Sequence, residues 1–367
     1  MRVGIEQITD LSRGAAFLGT GGGGDPWLGA LMLEQALTEH GPVELIPREH
    51  LSPEGIALPV AMMGAPTVLI EKFPSGDEAA AAVRAIEREL GARVEAIACA
   101  EIGGINATLP LAIAARLGLP VVDGDGMGRA FPQLQMVTFH VHGNPAAPMV
   151  MVDEYDNAVL LNARNDDIER LARHVVMAMG GSAVISLYPM TGTRAREAII
   201  PGTVSQAIAI GAALREGRHS STGSVSAALE CLRDSVHYGH ACELFAGRIV
   251  DLRRETRGGF AVGEVRITGF DDHHATFEVI FQNENLLARD HTGRVRAIVP
   301  DLIVIVDAET GEPITTEGLR YGQRVRVLGV SAPPMLLTPA ALEVMGPHAF
   351  GLDEPYTALE ALQSVNT

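Results

Sequence analysis

The chain has 367 residues, 47% of them hydrophobic, enough for two domains with cores of their own. A formal charge of −17 argues against nucleic acid and anionic membrane surfaces as partners, because both are held by basic patches. Three cysteines fit a reducing cytosol without a disulfide framework. No apolar run reads as a signal peptide or a membrane span, so the expectation is a soluble cytoplasmic protein.

From the start, residues 6–17 carry the apolar rhythm of a helix at Ile8, Leu11 and Ala15. Then comes GTGGGGDPWLG, residues 19–29. The consecutive glycines Gly21, Gly22, Gly23 and Gly24 permit backbone conformations closed to other residues. Asp25 followed by Pro26 is an N-cap and first-turn pair for a helix over residues 27–37. A glycine loop feeding a helix start concentrates N–H groups, a place for an anion or carbonyl oxygen, with a plain hinge as the alternative. Without GK[ST] it is no Walker loop, and a helix rather than a strand precedes it, unlike a dinucleotide fingerprint. Strands are expected over residues 43–47, 58–63 and 68–72, with Glu71–Lys72 a surface or site pair, and a helix over 77–90.

The densest stretch is 99–143. Residues 94–100 read as a core strand ending at Glu101, with Gly103–Gly104 making a turn. A helix over 110–117 follows, stopped by Gly118, and a strand over 119–122 delivers Asp123 and Asp125. Strand, helix, strand implies a parallel crossover, and ligands of such sheets sit beyond the carboxyl ends of the strands, where Glu101, Asn106, Asp123 and Asp125 fall. Each carboxylate alone could be a cap or an Asx turn; three of them with Arg129 exceed what turn-making requires. Cys99 lies inside an apolar strand with no histidine near it in sequence, which argues against a nucleophile. Residues 136–142 alternate as a strand would, placing His140 and His142 on one face, where a pair can chelate zinc or another divalent metal.

Strands over 149–153 and 159–162 flank the turn DEYDN, and helices follow over 166–179, after GTVS at 202–205, and over 225–236. His237, His240 and Cys242 straddle a helix end and a strand start, which favours a structural role. After Glu243 closely spaced strands take over, with a hairpin around Gly258–Gly259. QNEN, including Asn283 and Glu284, and Pro300–Asp301 interrupt these strands and are candidates to reach a site between domains. The expected architecture is an α/β N-terminal domain (1–165) with a mainly parallel sheet, a helical connecting segment (166–242) and a β-rich C-terminal domain (243–367).

GTGGGGDP, EIGGINATLPL, LPVVDGDGMGRAFPQLQM, YPMTG, GTVS, FQNE and PDLI together resemble the S-methyl thiohydantoin desulfurase-like family, found beside hydantoinase/oxoprolinase genes. The resemblance spans nearly the whole chain. It implies hydrolysis of a small five-membered hydantoin-like ring at its sulfur-bearing carbon, releasing methanethiol. The alternative is a hydantoinase- or oxoprolinase-type cyclic-amide hydrolase, or its non-catalytic accessory subunit. In that chemistry Asp123 or Asp125 serves as the base, and Glu101 and Asn106 hold the ring N–H and C=O. The amides of Gly21–Gly24 face a substrate carboxylate or the developing anion, with Arg129, Asn283 and Glu284 as further substrate contacts. With a metal, His140, His142 and one aspartate would generate hydroxide. A small cyclic molecule is the expected partner and a homo-oligomer the expected assembly.

Overall fold

A computed structural model describes residues 1–64, 68, 76–257, 259–270, 272 and 274–364. The expected strand over 68–72 and the Glu71–Lys72 pair therefore lie, Val68 apart, outside the described residues. The chain forms two compact units whose segments interleave: Met1–Ser12, Gly24–Gly128 and Gln133–Ser205 make the first, and Arg13–Gly23, Arg129–Pro132 and Gln206–Thr367 the second.

Among the described residues the first unit is built on a nine-stranded sheet. Its strands are β1 (Arg2–Val3), β2 (Val43–Ile46), β3 (Ile56–Gly64), β4 (Val94–Cys99), β5 (Val121–Val122), β7 (Met149–Val152), β8 (Ala158–Leu161), β9 (Ser182–Ser186) and β10 (Met190–Thr191). The order is β1-β2-β5-β4-β3-β9-β7-β8, with β10 also paired to β3. Only the β2–β5, β5–β4 and β4–β3 pairs are parallel. The sheet is therefore mixed, which corrects the expectation of a mainly parallel one. The cause is local. Asp153 accepts hydrogen bonds from the N–H groups of Tyr155 (3.0 Å) and Asn157 (2.9 Å), closing a tight turn with Asp156 at φ +60°. So short a connection can join only antiparallel neighbours. Likewise β9 follows Gly180 and Gly181, both at positive φ, and runs antiparallel to β3. The segment 166–242, expected as a helical connection, thus contributes a strand to this sheet in addition to the helices Asn165–Ala178, Gly192–Ala198, Thr203–Gly217 and Ser224–Arg233 along its length.

The helix between β4 and β5 spans Ile105–Leu117, starting earlier than its proline suggested. Pro110 sits inside it and forgoes the bond to the Asn106 carbonyl, a loss set against burial of every residue from Ile105 to Ala115. It packs on the helix Pro26–His40, whose start is capped by Asp25 as expected, through bonds from Trp27 N (2.8 Å) and Leu28 N (3.3 Å). Gly29 allows that approach: a Cβ there would lie 2.1 Å from Thr108 Oγ1 and 3.1 Å from Ile105 Cα. A two-residue ladder joins β6 (Gly124–Asp125) to β11 (Ile200–Pro201).

The second unit carries a seven-stranded antiparallel sheet: β12 (Ala241–Arg257), β13 (Phe260–Gly269), β14 (Thr276–Gln282), β15 (Glu284–Asp290), β16 (Val295–Ile298), β17 (Leu302–Asp307) and β18 (Arg324–Val330). The order is β16-β15-β14-β13-β12-β18-β17. The hairpin β12–β13 is the one read from the sequence. Alternating residues such as Ile249, Val265, Ile267, Phe277, Val279 and Val327 fill its core. Among the described residues no helix is long and apolar enough to cross a membrane.

Candidate functional site

In the first unit the carboxyl ends of β4 and β5 lie side by side, and the loops leaving them carry the acidic residues. The three carboxylates read from the sequence converge electrostatically on one atom. The Cys99 thiol is pushed well above its ordinary pKa, first by complete burial and then by the charges of Asp125, Asp123 and Glu101. Burial and these charges favour the protonated thiol.

The carboxylates differ in what holds them. Asn106, in the first turn of its helix, accepts a hydrogen bond from Met62 N (2.7 Å) and donates from Nδ2 to the Met62 carbonyl (3.4 Å) and to Glu101 Oε1. Its amide fixes the end of β3 and orients Glu101. Asp123 is half-buried; its Oδ1 accepts from Ser205 N (3.0 Å) and so caps the helix Thr203–Gly217. Asp125 is fully buried. Its carboxylate accepts from the N–H groups of Met127 (3.0 Å) and Gly128 (2.9 Å), and Ile102 N–H and the Thr203 hydroxyl also favour its charged form. Burial nevertheless dominates and lifts its pKa to about 7. With no exposed surface, Asp125 serves to tie the two strand-end loops together, aided by the Gly126 N–H bond to Ala100 O (3.1 Å). Gly124, at φ +158°, is required because a Cβ there would lie 2.4 Å from the Ile200 carbonyl oxygen.

Gly24 belongs to this unit and packs on Ile105; the other loop glycines belong to the second unit. There Thr20, Gly21 and Gly23 all hold positive φ, at +50°, +95° and +81°. The Glu284 carboxylate covers Gly22, where a Cβ would come within 2.0 Å of Oε1. Asn283, at φ +58°, is a turn residue: its Oδ1 accepts from Ala261 N (2.8 Å). Arg129 is fully buried and spends every donor on protein. Nε bonds Ala130 O (3.1 Å), Nη1 the carbonyls of Pro300 (3.2 Å) and Asp301 (2.9 Å), and Nη2 Thr20 Oγ1 (2.9 Å) and Asn285 O (3.0 Å). Burial draws its pKa down to about 10 while the charges of Glu284 and Asp301 oppose the fall, so it stays cationic. No donor remains for a substrate, a correction to its expected role. Asp301 is likewise a structural clamp: its carboxylate accepts from Ala332 N (2.8 Å), Leu359 N (2.9 Å) and the Tyr356 hydroxyl.

The His-x-His pair departs from expectation. Residues Thr138–Val141 form a helical turn, not a strand, so His140 and His142 do not share a face. Thr138 drives this, its hydroxyl bonding the carbonyls of Gly126 (2.9 Å) and Ala198 (2.6 Å). His140 Nδ1 meets Asn165 Nδ2 at 2.9 Å, and His142 is exposed. Among the described residues no group of three or more His, Cys, Asp or Glu side chains is arranged to hold a metal ion, so the donor set expected for zinc does not fit. Sequence reading passed over Thr20 and Thr316, whose only signal was polar character at positions that turn out to be buried; Asn285 entered it only as part of QNEN.

Two known protein domains match successive parts of the chain. The S-Me-THD-like N-terminal domain matches residues 6–163 and the S-Me-THD-like C-terminal domain residues 163–359. The chain belongs to the S-Me-THD-like family. A crystal structure of a protein from Chromobacterium violaceum is similar over 98% of this chain and 100% of that one, at 24% identity and a TM-score of 0.82; it shares the fold. No curated protein matches the chain.

Proposed function

We propose that the protein is a hydrolase of S-methyl thiohydantoin type, acting on a small five-membered ring at its sulfur-bearing carbon. Water adds to that carbon, forming a C–O bond. The C–S bond then breaks, methanethiol leaves with a proton that the water supplied, and the ring becomes a hydantoin. Membership of the S-Me-THD-like family across both domains is the observation that carries this reading.

The residues of the first unit suit the steps. Asp123, half-buried and reachable, takes the proton of the attacking water. Glu101, aimed by Asn106, accepts a hydrogen bond from a ring N–H. Asp125 holds the loop between them. Considered by itself, the glycine loop over Gly21–Gly24 offers N–H groups to a substrate carbonyl or an anion. No step is routed through a metal.

The test is methanethiol release by the purified protein from a panel of S-methyl thiohydantoins, beside ring opening of the corresponding hydantoins. Release by the wild type, and its loss in Asp123→Asn, supports the reading. Ring opening without thiol release would transfer the protein to the cyclic-amide hydrolases. Turnover of neither substrate class would sink the proposal.

A further inference from the structure

The glycine loop is anchored by side chains far away in the sequence, and these define a positioning device within the second unit. Thr20 is β-branched and fully buried, yet sits at φ +50°, a conformation such residues rarely hold unaided. Its carbonyl accepts from Asn285 N (2.8 Å) and its hydroxyl from Arg129 Nη2 (2.9 Å). The next residue, Gly21, has its carbonyl bonded by Thr316 N (2.9 Å) and approached by Thr316 Oγ1 (3.2 Å). That hydroxyl proton is shared with the Asn283 carbonyl (2.7 Å), so one side chain links the loop to the β14–β15 turn. Asn285 is fixed in turn by its Nδ2 bond to Ile303 O (2.8 Å). Every one of these groups is backbone or buried side chain.

We infer that Thr316, with Asn285 and Arg129, is a positioning residue that sets the conformation of the Gly21–Gly23 loop for substrate binding. This rests on the reading that the loop meets the substrate. The clasp grips the carbonyls of Thr20 and Gly21, which turns the peptide units that follow in a set direction. Gly22 and Gly23 remain half-buried, reachable by a small molecule. A loop pre-ordered in this way binds without first losing its conformational freedom, so its loosening should appear in affinity before it appears in the chemical step.

Thr316→Val keeps the shape and removes the hydroxyl; Thr316→Ser restores the hydroxyl without the methyl. Hydrogen exchange followed by mass spectrometry on the peptide covering 19–25 reads the loop without reference to activity. The expected result for Thr316→Val is exchange faster by about five- to tenfold there, the scale of one lost hydrogen bond, with peptides over β4 unchanged. KM for thiol release should rise by a similar factor while kcat stays within about twofold, and Thr316→Ser should recover both. Should the valine variant fold poorly, Thr316→Ala replaces it under the same measurements. Unchanged loop exchange, or a fall in kcat at constant KM, overturns the inference. Faster loop exchange with unaltered KM overturns the loop's part in binding, while the hydrolase reading stands or falls separately on wild-type thiol release.

Discussion

Asn106 holds Glu101. One amide oxygen takes the Met62 N–H while the amide nitrogen reaches the Glu101 carboxylate, so a helix start, a strand end and an acidic side chain are joined by a single residue. Asn106→Asp should place a second carboxylate against the first. Like charges oppose ionisation, so the acidic limb of the pH–rate profile should move upward by about one unit. Asn106→Ala should cost about 1–3 kcal/mol, since it orphans the buried Met62 N–H. A profile identical to wild type in the Asp variant would mean that Glu101 takes no part in turnover.

Asp123 and Asp125 leave the same strand, and the structure separates their duties. Asp123→Asn retains an acceptor for Ser205 N–H and should melt near the wild-type temperature while lowering thiol release by about 10²–10⁴, the range for positioned acid–base groups. Asp125→Asn should act in the opposite manner, changing stability with a smaller effect on rate in the fraction that folds. Paired melting curves and steady-state rates check both, and a rate equal to wild type in Asp123→Asn removes it as the base.

Gly22 lies under the Glu284 carboxylate. Gly22→Ala should destabilise by about 1–3 kcal/mol through overpacking, and Gly22→Val should also abolish turnover. Because the clash is with one side chain, the double variant Gly22→Ala/Glu284→Ala should lose less stability than the sum of the single changes. Strict additivity in urea denaturation would show that the methyl group is accommodated elsewhere.

Asp301 gives a pH signature. Burial raises its pKa to about 7 in the folded protein, against 3.8 as its ordinary value. The folded state therefore binds its proton more tightly than the unfolded chain does. The stabilisation from this group is complete below about pH 4 and is lost as pH rises through about 7, on the order of 4 kcal/mol at most. Asp301→Asn, which cannot ionise, should close the gap to wild type or overtake it as pH goes from 4 to 8. A stability difference between the two that is flat with pH would refute the assignment.

The sequence disclosed these features unevenly. The alternation through β4, the helix Ile105–Leu117 and β5 was legible because periodicity and glycine stops are local signals. The gathering of Glu101, Asp123 and Asp125 followed from it, since loops at neighbouring strand ends must be close. β9 escaped notice because SAVIS is short and buried on both faces, and so shows no alternation. MVTFHVH alternates like a strand, but the two carbonyl bonds of Thr138 coil it into a turn, a constraint imposed by residues 12 and 60 positions away. Arg129 read as a substrate contact for the same reason: its five acceptors are mostly backbone carbonyls, which no sequence pattern marks.

The joining of Gly21 to Thr316 across 295 positions bears on how the chain is made. On the ribosome, the glycine loop emerges 295 residues ahead of Thr316 and must wait that long before its carbonyls find their donors. Thr20 has no reason to adopt its left-handed conformation in the interval. The second unit therefore cannot finish folding before residue 316 has emerged, and truncation anywhere ahead of residue 316 should leave the loop unformed, however well β2–β5 have assembled. Pulse labelling of nascent chains of increasing length would see the loop acquire protection only once residue 316 has emerged, long after the loop itself was translated.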